Sequence, residues 1–157
     1  IPPRAIVDVQ PATLARLAEL PRIAGVKDAT GDLARPWTER QLIKKPFAWL
    51  SGEDATAVAY NIGGGQGCIS VTANVAPKLV AEVQNLTLAG KWQEARELQD
   101  KLIPLHQAMF AEPSPAGAKY AASLLGFCSE ECRLPVMPLS EATRERIRSA
   151  MQQLNLL

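Results

Sequence analysis

The apolar positions in the first third of the chain follow two different periods. Leucines recur at a spacing of three over residues 11–20, which predicts an amphipathic helix that begins at Pro11. Two short apolar runs, 23–27 with Lys27 at its end and 47–51 with Ser51 at its end, are too short for helices and predict strands. Because these runs do not alternate with polar residues, we expect both faces of their sheet to be covered.

Strand and helix patterns continue to alternate as far as residue 90. Their spacing of about 20 to 25 residues is typical of parallel βαβ units, in which a helix follows each strand. The pattern therefore predicts an α/β fold with a parallel sheet. The further predicted elements are a helix over 33–44, a helix over 54–62 capped by Asp54, a strand over 68–71 and a helix over 77–88 opened by Pro77.

After residue 90 only helical patterns remain. Apolar residues from Trp92 to Leu105 recur at spacings of three and four, with a bend expected at Pro104. A second helix is predicted over 115–125, and a third follows its cap, Ser140. A helical region thus follows a partial α/β barrel.

Composition and charge narrow the range of functions. Hydrophobic residues make up 47% and charged residues 21% of the 157 residues, a balance typical of a folded protein. The formal net charge is +1, so we expect neither nucleic acid nor an anionic membrane as a partner. No apolar stretch approaches the roughly 20 residues needed to cross a bilayer.

The first residues and the cysteines indicate context. Ile1 to Arg4 contain no initiator methionine and no signal peptide, so we expect a strand exit within a longer gene product. Three cysteines, an odd number, do not suggest a disulfide framework, and the cytoplasm is the expected location. Cys128, Cys132 and the single His106 offer too few ligands for a structural zinc site, so no metal is expected.

Lys27 is the only charged residue of the first predicted strand and stands at its end. A lysine that leaves a buried strand loses solvation, which favours the neutral amine. A neutral amine attacks carbonyl carbon, as Schiff-base catalysis requires, and active sites of parallel α/β barrels lie at the carboxyl ends of strands. The alternative is a lysine that only extends its charged end into solvent, and the residues alone leave both interpretations open.

The chain resembles the dihydrodipicolinate synthase and N-acetylneuraminate lyase family in five segments that cover nearly its whole length in order. The last two segments favour the synthase branch of that family. The segments are 25–32 (GVKDATGD), 50–54 (LSGED), 64–74 (GGQGCISVTAN), 112–115 (EPSP) and 133–138 (RLPVMP).

The resemblance implies an architecture. It is the C-terminal half of a (β/α)8 TIM barrel, followed by a C-terminal helical domain. Residues 1–90 would run from the end of strand five to helix eight, and residues 91–157 would form the helical domain. The missing N-terminal half of the barrel would then be a partner, and a homotetramer is the expected assembly.

The resemblance also implies a Schiff-base aldolase that condenses pyruvate with aspartate semialdehyde to hydroxytetrahydrodipicolinate in lysine biosynthesis. Lys27 would form a covalent imine with pyruvate, so that no separate cofactor is needed. Arg4 would bind the second substrate's carboxylate through two parallel hydrogen bonds and order a proton-relay tyrosine. Gly52 and Ile69 would line the pyruvate pocket.

Some positions depart from the family's pattern. Arg4 is followed by Ala5, where the family usually has threonine. The relay tyrosine, its paired threonine and a second tyrosine would all belong to the missing half. Tyr60 and Tyr120 match neither tyrosine and are expected to serve packing.

Two other functions remain open at this point. One is another pyruvate-dependent aldolase or dehydratase of the same family. The other is a non-catalytic fragment or assembly module with an inert Lys27. A nucleotide-binding function is disfavoured, because the glycine-rich stretch 63–67 precedes a predicted strand instead of opening a helix.

Overall fold

Two strands and eight helices make up the chain, of which the computed structural model describes residues 1–157. None of the helices combines the length and the apolar composition needed to cross a membrane. The strands are β1 (Gly25–Asp28) and β2 (Ala48–Ser51). The helices are α1 (Pro2–Ala5), α2 (Pro11–Ala18), α3 (Arg35–Leu42), α4 (Ala57–Ile62), α5 (Pro77–Leu88), α6 (Trp92–Met109), α7 (Ala116–Leu124) and α8 (Glu141–Gln153), with 3-10 turns over Asp54–Thr56 and Thr72–Asn74.

The two strands pair in parallel, with Gly25 opposite Ala48 and Asp28 opposite Ser51. Helix α3 connects them, as a crossover between parallel strands requires. The predicted α/β class with a parallel sheet is therefore confirmed.

The predicted third strand over 68–71 does not form. Only one parallel bridge, made by Cys68 with the last residue of β2, marks its place. The backbone N–H groups of Val71 and Thr72 donate to the Asp54 carboxylate instead of to a strand. Because these N–H donors already have a buried acceptor, they do not need the hydrogen bonds of a neighbouring strand. The chain turns at this point.

The first residues of the chain form a helix and not a strand. Pro2–Ala5 form the single-turn helix α1. Proline suits the first position of a helix because an N–H group there has no partner within the helix. Ile6 then ends α1 in the left-handed conformation, with φ of 62°.

Two predicted helix caps had different outcomes. Ser140 caps α8 as expected, and its hydroxyl accepts from the Thr143 N–H at 3.3 Å. Asp54 does not act as a cap. Glu53 takes that position, and its carboxylate accepts from the Ala55 N–H at 3.4 Å. Asp54 is therefore free to bind a more distant part of the chain.

The apolar core falls into two clusters. The larger lies between α6, α7 and α8, around the fully buried Leu105. The smaller packs α2 and α4 against β2, where the rings of Phe47 and Trp49 are 5.0 Å apart. Tyr60 belongs to the smaller cluster and Tyr120 to the larger. The prediction that both tyrosines serve packing is confirmed.

Candidate active site

Lys27 lies in β1, opposite Leu50 of β2. Its alkyl chain passes close to Gly52, because a Cβ atom placed on that glycine would stand 2.8 Å from Lys27 Cε and 3.2 Å from Cγ. Only glycine leaves this space free. The lysine and the glycine that the sequence singled out are therefore direct neighbours.

The Lys27 side chain is exposed, so the expectation of a desolvated amine is wrong for this chain taken alone. β1 has β2 on one side and no strand on the other. Desolvation of a lysine at a strand end depends on the elements that cover it. Residues 1–157 do not supply that cover.

Ile69 joins Lys27 and Gly52 at the same edge of the sheet. The Ile69 N–H donates to the Ser51 carbonyl at 2.8 Å, and the Gly52 N–H donates to the Asp28 carbonyl at 2.7 Å. These bonds place the three residues at the carboxyl ends of three neighbouring parallel segments. Ile69 is 47% exposed, so it is not a core residue of this chain.

Arg4 stands apart from the other three predicted site residues. It is exposed in the single turn of α1. Its side chain makes no ion pair or hydrogen bond within the chain, and it does not line the cavity of about 160 Å³ that Lys27 borders. The structure therefore brings together three of the four predicted residues.

A partly buried polar cluster that lines the same cavity as Lys27 was missed from the sequence. Arg35 pairs with Glu39 at 2.8 Å and with Asp8 at 2.7 Å. Burial raises the pKa of Glu39, and Arg35 opposes part of that effect. These three side chains line the same cavity as Lys27. The spacing of four between Arg35 and Glu39 was visible in the sequence, but it is equally typical of a solvated pair on a helix.

Asp54 is the centre of a second buried network, and it too was missed as a site residue. Only 3% of its surface is exposed. Its Oδ2 accepts from the N–H groups of Val71 at 2.8 Å and Thr72 at 3.3 Å, and its Oδ1 accepts from the Ser70 hydroxyl. Gln99 of α6 donates to its backbone carbonyl at 2.7 Å. The network joins the loop after β2 to the 3-10 turn Thr72–Asn74 and to α6.

Cys68 lies beside Ile69 and is half-buried. Burial, reinforced by the negative charge of Asp54, raises the pKa of Cys68 to about 12. The thiol therefore stays protonated at neutral pH. The chain contains no group of three histidine, cysteine, aspartate or glutamate side chains arranged to hold a metal ion.

His106 of α6 connects the Asp54 network to the helical region. Its Nδ1 lies 2.7 Å from Thr72 Oγ1 and 4.0 Å from Asp54 Oδ1. Burial lowers the pKa of His106, although the Asp54 carboxylate opposes this. The imidazole is therefore held neutral in the folded protein at neutral pH.

We expect His106 to make the folded state less stable as the pH falls below 6.5, the ordinary pKa of histidine. In that window the unfolded chain binds a proton that buried His106 does not bind, so the free energy of unfolding decreases with falling pH. Urea unfolding of the wild-type protein and of a His106→Gln variant between about pH 8 and about pH 5 measures this. The variant should show the flatter pH dependence, and parallel curves for the two proteins would contradict the assignment.

The chain is similar to one protein family over nearly its whole length. Residues 1–154 match the sequence model of the dihydrodipicolinate synthetase family. The 4-hydroxy-tetrahydrodipicolinate synthase of Ruegeria pomeroyi is 57% identical over 157 residues, which are 100% of this chain and 54% of that protein. The chain spans about half the length of such relatives.

Solved structures give the same result. The dihydrodipicolinate synthase of Aquifex aeolicus matches with a TM-score of 0.95 and 32% identity, over 99% of this chain and 54% of that chain. The chloride-inhibited dihydrodipicolinate synthase of Acinetobacter baumannii, complexed with pyruvate, matches with a TM-score of 0.93 and 39% identity, over 100% of this chain and 54% of that chain. The chain belongs to the dihydrodipicolinate synthetase family.

Proposed function

We propose that the full-length protein containing this chain is a 4-hydroxy-tetrahydrodipicolinate synthase, a Schiff-base lyase acting on pyruvate and aspartate semialdehyde. The observation that carries the proposal is the position of Lys27 beside Gly52 and Ile69, at the carboxyl ends of neighbouring parallel segments. Parallel α/β barrels build their active sites at this end. Membership of the family and the relative solved with pyruvate support the same chemistry.

The proposed reaction begins at the Lys27 amine, which loses its proton and attacks the keto carbon of pyruvate. Loss of water from the adduct leaves a protonated imine, and removal of a proton from the methyl carbon gives an enamine. The enamine carbon then bonds to the aldehyde carbon of aspartate semialdehyde, whose C=O π bond opens to an alkoxide that takes up a proton and becomes the hydroxyl group, and the protonated imine forms again. The amino group of that substrate displaces Lys27 from the imine carbon, which closes the ring and frees the lysine. No separate cofactor takes part.

The other site residues have supporting roles in this proposal. Gly52 leaves room for the lysine side chain and for substrate beside the backbone. Ile69 shields the imine from water. Its side chain is exposed in this chain and is therefore free to pack against the imine. Arg4, which has no partner within the chain, binds the carboxylate of the second substrate.

We infer that further barrel strands, outside residues 1–157, pair with the open edge of β1 and desolvate Lys27. Residues 1–90 then form part of a (β/α)8 barrel, and residues 91–157 form a helical domain. We propose that the other half of the full-length protein, outside residues 1–157, completes the barrel. The 54% share of the matched relatives leaves room for such a half.

We propose a cytoplasmic homotetramer for the complete protein. Large apolar side chains lie exposed on the outer helices, among them Trp37, Leu42 and Ile62. Exposed apolar surface of this kind is typical of contacts between protein chains. All three cysteines are free, which suits a reducing compartment.

A non-catalytic module is the second candidate, and one observation favours it. Lys27 is exposed in this chain, as an inert lysine at a strand end would be. A further alternative within the family is an aldolase or dehydratase that uses pyruvate with a different second substrate. Turnover by the full-length protein separates these candidates.

The full-length protein should consume pyruvate at least about a hundredfold more efficiently with aspartate semialdehyde than with aldehydes of similar size that lack a carboxylate. A site built to bind a carboxylate rejects substrates without one. Equal turnover with another aldehyde would select a different aldolase of the family. No turnover with any aldehyde, by a folded protein, would favour the non-catalytic module.

The isolated 157 residues should show no turnover and should elute as mixed oligomers. An open parallel sheet exposes unpaired strand edges, which pair with other copies. Size-exclusion chromatography together with the same assay measures both properties. A monodisperse isolated chain with full turnover would contradict the half-barrel architecture.

A further inference from the structure

We propose that Asp54 is a positioning residue of the candidate active site. Its carboxylate holds the segment that follows Ile69 in a fixed place relative to Lys27 and Gly52. The inference rests on the proposed function, because the effect is exerted on the binding of pyruvate at Lys27.

The contacts of the carboxylate reach across two parts of the chain. Asp54 lies two residues after Gly52, and its three side-chain partners are the consecutive residues 70–72. These partners are 16 to 18 residues away in sequence. One carboxylate therefore links the loop that contains Gly52 to the segment that contains Ile69.

The link is rigid at both of its ends. Asp54 is buried, and hydrogen bonds to a buried carboxylate are stronger than those between neutral groups. Gln99 of α6 holds the Asp54 backbone at 2.7 Å, and His106 of the same helix contacts Thr72 at 2.7 Å. Both segments are thus attached to one helix, which fixes their separation.

Ile69 has little else to hold it in place. Its side chain is 47% exposed and belongs to neither core cluster. Its orientation therefore depends on its backbone, which the bond to the Ser51 carbonyl fixes on one side and the Asp54 carboxylate fixes on the other. Loss of the carboxylate releases the second side, while the hydrogen bond to the Ser51 carbonyl remains.

The test uses the full-length protein with Asp54→Asn. The asparagine amide keeps one oxygen that accepts hydrogen bonds. Its NH2 group replaces the second oxygen and therefore faces N–H or O–H donors without accepting from them. We expect the pyruvate concentration that gives half-maximal borohydride-trapped adduct to rise about tenfold, as expected for loss of a hydrogen bond to a charged group. At saturating pyruvate the adduct should still form fully, since Lys27 is unchanged.

A matched control separates positioning from stability. Thr87→Val removes a buried hydrogen bond from Asn61, made at 2.8 Å between α4 and α5, and touches no site residue. This variant should lose stability but keep the pyruvate half-saturation of the wild type. Ser70→Ala removes one donor to Asp54 and should shift the half-saturation in the same direction as Asp54→Asn, by less.

The outcomes distinguish the inference from the function on which it rests. If the wild type forms the adduct but Asp54→Asn and Ser70→Ala saturate with pyruvate as Thr87→Val does, the positioning role alone is overturned. If Asp54→Asn does not fold, the half-saturation of Ser70→Ala decides. A folded wild type that forms no adduct overturns the proposed function and the inference together.

Discussion

Replacing Lys27 with arginine is expected to lower kcat/KM of the full-length protein by at least about a thousandfold, because removal of a catalytic nucleophile has effects of this size or larger. Arginine keeps the positive charge and much of the length of lysine. Its guanidinium does not lose its proton at neutral pH, so it forms no imine with pyruvate. Steady-state kinetics with both substrates measure the effect.

Lys44→Arg is the matched control for this substitution. Lys44 is exposed, and its side chain makes one long hydrogen bond of 3.5 Å, to the Arg40 carbonyl. This variant should keep the wild-type kinetics. If Lys27→Arg retained kcat/KM within about tenfold of the wild type, no covalent role for Lys27 could stand.

Gly52→Ala is expected to reduce kcat/KM about a hundredfold, the cost of displacing a reacting group by about 1 Å. The new Cβ would lie 2.8 Å from Lys27 Cε and 2.8 Å from the Cβ of Ala29. The Ala29 methyl group cannot move away by a change of rotamer, whereas the Lys27 side chain can. The lysine side chain must therefore move. The amine then leaves the place that the wild-type backbone gives it.

Gly63→Ala is the control for Gly52→Ala, because it adds the same methyl group at a glycine away from Lys27. A Cβ at Gly63 meets its nearest atoms, in Trp37 and Tyr60, at 3.1 Å, and it does not approach Lys27. Thermal unfolding of both variants, followed by kinetics below the unfolding temperature, separates activity from stability. Equal kinetics for the two variants would show that the space above Gly52 is not needed by Lys27.

The sequence predicted the elements whose causes are local. Helix α5 has the predicted bounds, Pro77–Leu88, because proline suits its first turn and its apolar positions repeat with the helical period. Ser140 caps α8 through a hydrogen bond three residues away. The resemblance of segments 25–32 and 50–54 to one family predicts that Lys27 and Gly52 share a pocket, and both lie at the carboxyl ends of two paired parallel strands.

The wrong predictions concern segments whose structure depends on residues that are distant in the sequence. The segment 68–71 has the composition of a strand, yet Asp54 takes its N–H donors from 17 and 18 residues away. No periodicity encodes such a contact, and an aspartate just after a strand is equally typical of a cap. Lys27 was expected to be buried, but burial at a strand end depends on elements outside residues 1–157.

The covalent role of Lys27 is the central claim, and borohydride trapping tests it most directly. The full-length protein is incubated with pyruvate, reduced with borohydride, digested and mapped by peptide mass. The account predicts one reduced pyruvyl adduct, on the peptide that contains Lys27, and none without pyruvate. A folded protein that carries no adduct, or carries it on another lysine, would contradict the account.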